Sequence, residues 1–68
     1  MTFTNREAIA ELARQIREYN DVIDDTVRRA AEADAAGDSK EYRRLMKAAE
    51  DTVKHVKNLA KEMAKYTS

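Results

Sequence analysis

Apolar residues recur along this chain at alternating steps of three and four. Ile9, Leu12, Ile16, Tyr19, Ile23, Thr26, Ala30 and Ala33 make one run. Tyr42, Leu45, Ala49, Thr52, Val56, Leu59, Met63 and Tyr66 make a second. That rhythm places each run on one stripe of an α-helix. The only glycine, Gly37, stands between the runs. The pattern predicts an all-α fold: an antiparallel two-helix hairpin over about residues 5–35 and 39–66, turning at Gly37–Asp38. Each helix would be roughly 40–45 Å long.

Local signals agree with these limits. Thr4 followed by Glu7 fits a capping box, and Phe3 could staple onto Ala8. Gly37 can take the left-handed conformation that closes a helix without a Cβ clash. Asp38 is placed to cap helix two, with Glu41 repeating the box spacing. Reflecting the stripes about the turn pairs Ala33 with Tyr42, Ala30 with Leu45, Thr26 with Ala49 and Tyr19 with Val56. Large then faces small near the turn, which lets layers interdigitate.

The stripes are broader than one partner helix needs. Outside the two core lines run Ala13, Val27, Met46, Val53 and Ala60, and then Ala8, Val22 and Ala48. A broad apolar face suits a helix inside a bundle. Two hairpins packed face to face would form a homodimeric four-helix bundle. The expected interface residues are Ala13, Ile16, Val22, Ile23, Val27, Met46, Ala49, Val53, Val56 and Ala60. A charge at Ile16 or Val53 is expected to abolish association and most of the helicity.

Size strengthens that expectation. The 68 residues make a single domain, residues 1–68, and a core this small is marginal alone. No cysteine is available for a disulfide or a thiolate metal site. No apolar run approaches the ~18 residues of a membrane span, and the first residues lack a signal-peptide pattern. The expectation is a soluble, cytoplasmic protein.

Thirteen basic side chains balance thirteen acidic ones, but they are not mixed evenly. Residues 1–38 carry five basic and nine acidic groups, and residues 39–68 carry eight and four. Opposite signs favour side-by-side docking, though each exposed pair is weak. Near the turn, Glu32 and Asp34 oppose the dipole of helix one, and Lys40, Arg43 and Arg44 oppose that of helix two. Side by side, the two sets can offset one another.

Candidate chemistry is thin. His55 is the only histidine, and with Asp51 it is too small a set for a metal site. A boundary histidine bonded to Asn20, Asp51 or water is the expectation. Asp21, Asp24 and Asp25 cluster, but Arg17–Asp21, Asp24–Arg28 and Asp25–Arg29 have the spacing of surface ion pairs. Thr26 and Thr52 occupy core positions, where a threonine can bond a carbonyl one turn back. With no nucleophile–base pair, phosphate loop or ligand set, the chain reads as non-enzymatic, with no cofactor and no small-molecule substrate.

Lys40, Lys47, Lys54 and Lys61, with Arg43, Arg44, Lys57 and Lys65, form a basic outer line on helix two. Such a line is an electrostatic footprint for nucleic acid or an acidic partner. No aromatic side chain is interleaved for base stacking, and Glu50, Asp51 and Glu62 dilute the charge. A solvated face is the plainer reading.

In layout the chain resembles the Rop-type family, short helical hairpins that dimerise into four-helix bundles. The resemblance implies a small regulator that binds RNA with its first helices, but helix one here is acidic and no family residue matches position by position. The stretch Ala-Ala-Gly-Asp-Ser-Lys-Glu-Tyr-Arg-Arg-Leu also resembles the capped loops of designed bundles. Asn20, Thr26, Thr52 and three methionines depart from such idealised cores. Both likenesses imply a self-associating interaction module, with another helical protein as the other partner class. The alternative is a nucleic-acid-binding regulator using the basic line.

Overall fold

The structure, a computed structural model, describes residues 5–67. Helix α1 spans Asn5–Ala35 and helix α2 spans Ser39–Ala64. They pack against each other along their length, in a body 51 Å long and 19 by 14 Å across. A helix of 31 residues is itself about 46 Å long. The body is hardly longer than one helix, so α2 must fold back antiparallel on α1. The predicted Thr4 cap and Phe3 staple lie outside the described residues.

The turn follows from its two residues. Gly37 has φ 75°, the left-handed region that glycine enters without steric cost. Its N–H donates to the Asp34 carbonyl at 3.0 Å, and the Asp38 N–H donates to the Ala33 carbonyl at 2.9 Å. This pair of bonds is the Schellman closure of a helix. The Asp38 carboxylate then accepts the Glu41 N–H at 3.1 Å and caps α2. Glu41 does not reach back to complete the box, because Arg44 takes its carboxylate.

Helix α2 ends two residues before the predicted Tyr66. The N–H groups of Tyr66 and Thr67 donate to the carbonyls of Met63 and Ala64, at 3.0 and 3.2 Å. These three-residue steps tighten the last turn, as helix ends commonly do. Tyr66 is exposed.

The core is small and sits near the turn. Ala30, Ala33, Leu45 and Ala49 are the buried residues, with Tyr42 and Met46 packed against the first three. The expected Ala30–Leu45 layer therefore lies within the core. Three of the four buried side chains are alanines, which have little apolar area to bury. Towards the open ends, Ile9, Leu12, Ile16, Leu59 and Met63 are only half-buried. Thr52 donates its hydroxyl to the Ala48 carbonyl at 2.9 Å, the back-bond expected of a mid-helix threonine.

Candidate interaction face

The seven-residue lines give the hairpin two flanks. In an antiparallel pair, lines at equivalent heptad positions meet on the same side. Ala13, Asn20 and Val27 of α1 thus share a flank with Met46, Val53 and Ala60 of α2. Ala8, Gln15, Val22 and Arg29 share the opposite flank with Glu41, Ala48, His55 and Glu62.

On the first flank the helices leave an open apolar groove of about 350 Å³. Ile23 and Val27 form one wall and Met46, Ala49 and Val53 the other, while Glu50, Lys54 and Lys57 rim it. Val27 and Val53 remain 43% and 36% exposed. Five of the expected interface residues are brought together here. Ile16 and Val56 lie half-buried in the seam between the helices, and Ala13 is half-buried while Ala60 is exposed. Val22, at 52% exposure, lies on the other flank and does not line the groove.

The second flank is more polar, with Val22 its exposed apolar member. His55 meets the edge of Tyr19, with ring centroids 4.7 Å apart and planes at 75°. Of the partners expected for His55, neither Asn20 nor Asp51 is hydrogen-bonded to it, and the ring is exposed to water. Across the same flank, the Arg29 charge helps to depress the Glu41 carboxyl, whose largest influence is the hydrogen bond from Arg44. The expected cross-turn offset of Glu32 and Asp34 against Lys40, Arg43 and Arg44 forms no ion pair among the described residues.

Ion pairing runs along each helix. Arg14 bridges Glu11 and Glu18, the latter at 2.6 Å. Gln15 adds a 3.0 Å hydrogen bond to Glu11. Donation from Arg14 first, then Gln15, holds the Glu11 carboxyl at about 2. Arg28 pairs with Asp25, three residues back, rather than with Asp24. Neither Asp25–Arg29 nor Arg17–Asp21 forms, and the Asp25 carboxylate is taken by Arg28.

The basic line is less free than its spacing suggests. Arg44 pairs with Glu41, Lys47 approaches Asp51 at 4.0 Å, and Lys65 reaches Glu62 at 3.4 Å. Lys54 and Lys57, both exposed, also rim the apolar groove. Lys40, Arg43 and Lys61 are exposed. Among the described residues, no group of three or more acidic or histidine side chains is placed to hold a metal. No helix among the described residues is long and apolar enough to cross a membrane. No family model, curated protein or solved structure matches the chain.

The groove was legible as a surplus of apolar lines, but its charged rim was not. Glu50 and Lys57 follow Met46 and Val53 by four residues and so extend the same flank outward.

Proposed function

We propose that this chain is a non-enzymatic interaction module, a helical hairpin that associates with a second copy into a four-helix bundle. The observation that carries the reading is the open groove with the exposed valines Val27 and Val53 at its walls. Completing the burial of one such side chain is worth up to about 1.5–3 kcal/mol. The hairpin's own core, mostly alanine, leaves that gain unrealised. A nucleic-acid role for the basic line has less support, since three of its members already engage carboxylates.

Sedimentation equilibrium across a wide concentration range tests the reading. The expected mass is twice the 7.8 kDa of one chain. A species that stays at 7.8 kDa at every concentration overturns it.

A further inference from the structure

The groove flank carries charges arranged for a second copy in one orientation. Arg17 and Asp24 follow Ala13 and Asn20 by four residues, as Glu50 and Lys57 follow Met46 and Val53. These four side chains form no ion pair within the hairpin among the described residues. On this flank α1 presents Arg17 and Asp24 beside Asn20, and α2 presents Glu50 and Lys57 with Lys54 between them.

Their levels are linked. The midpoint of Arg17 and Asp24 falls between Asn20 and Asp21, and that of Glu50 and Lys57 falls between Val53 and Lys54. The ring contact of Tyr19 with His55 and the clustering of Ala30 with Leu45 put the two helices in register to within about a residue. Each midpoint lies one and a half residues from that contact, on the same side, so the two midpoints lie at nearly the same level. In the hairpin itself, Arg17 is consequently level with Lys57, and Asp24 with Glu50.

Resting on the self-association just proposed, we infer that two hairpins pair groove to groove with their turns at opposite ends, about a twofold axis perpendicular to the helices at the level of Asn20 and Val53. The axis carries Arg17 onto Asp24 of the partner subunit, and Glu50 onto Lys57 of the partner subunit. It sets Val27 against Ala13 of the partner subunit and Met46 against Ala60 of the partner subunit, large against small along both helices. With the turns at the same end, Arg17 would face Lys57 of the partner subunit, and Asp24 would face Glu50 of the partner subunit. Both are like-charge contacts.

Asn20 selects which helices meet. Beside the axis it meets Asn20 of the partner subunit, and two amides can satisfy each other while fixing register. Laying α1 on α2 of the partner would set Asn20 against Val53 of the partner subunit and leave the amide unmatched. The face is 51 Å long and 19 Å wide, enough for the about 800 Å² per partner that a specific interface buries.

Charge reversal tests the orientation. The dimer Kd is measured at low salt for the wild type, Glu50→Lys, Lys57→Glu and the double variant. Each single reversal is expected to raise Kd about fivefold, since symmetry doubles the like-charge contact. The double variant is expected to return to within about twofold of wild type. A single reversal that tightens the dimer places the turns at the same end and overturns the inference. A double variant weaker than either single one overturns the pairing of like helices, and unchanged Kd in all variants removes the charge contacts altogether. A wild-type chain that never dimerises fails the underlying reading instead.

Discussion

Tyr19 and His55 meet edge to face across the two helices, 4.7 Å between ring centroids. The contact lies toward the open ends of the hairpin, away from the alanine-rich core. Edge-to-face aromatic pairs add about 0.5–1.5 kcal/mol beyond the area they bury. A double-mutant cycle with Tyr19→Leu and His55→Leu should give a coupling energy of about 0.5 kcal/mol or more in urea unfolding. Additive single effects would show that the rings touch without stabilising the pair.

Gly37 isolates a backbone effect. Its φ is +75°, yet a Cβ there would have nothing within 4 Å. Gly37→Ala should therefore cost about 1 kcal/mol, all of it from the left-handed backbone. Gly37→Asn should cost less, because asparagine visits that region more readily. Thermal unfolding of the two variants checks the order, and equal losses would mean that side-chain crowding matters instead.

The turn and the paired stripes were readable because each depends on a few neighbouring residues. Gly37 and Asp38 determine their own hydrogen bonds, and the three-four spacing determines which faces meet. Side-chain pairing was less readable because several partners lie within reach of one group. Arg28 had Asp24 and Asp25 to choose from, and Glu41 had both a capping role and Arg44. The aromatic neighbour of His55 was not readable for a related reason. Spacing along α2 points to Asp51, but the ring of Tyr19 arrives from the other helix. The rim of the groove required the two flanks to be told apart, which the breadth of the apolar stripe does not do.

Acid should weaken α1 in a definite window. The Glu11 carboxyl is lowered from an ordinary 4.5 to about 2, first by the hydrogen bond from Arg14. A carboxyl depressed on folding stabilises the folded state above its unfolded value. That contribution is present above about pH 4.5 and is lost as pH falls towards 2. NMR titration of the Glu11 side chain should give a midpoint well below that of an unfolded peptide. In Arg14→Gln the midpoint should move back up, and a normal midpoint in the wild type would remove Arg14 from the account.

An aspartate at Leu45 and one at Val53 should have different consequences. Leu45 is 5% exposed and packs with Ala30 and Ala33, whereas Val53 is 36% exposed at the groove wall. Leu45→Asp buries a charge with no counter-ion in the hairpin's own core, at a cost of about 3 kcal/mol or more. A domain this small has little stability to lose, so the helical circular dichroism should collapse. Val53→Asp leaves its carboxylate in water as long as the hairpin stays single, so helicity should persist at low protein concentration. Association is what it should remove, because the dimer would trap the same carboxylate in an apolar groove beside the identical carboxylate of the other copy. That outcome narrows the sequence expectation, which had assigned loss of both to this position. Light scattering and circular dichroism on the same samples separate the two effects. An undiminished dimer in Val53→Asp would move the contact surface off the groove.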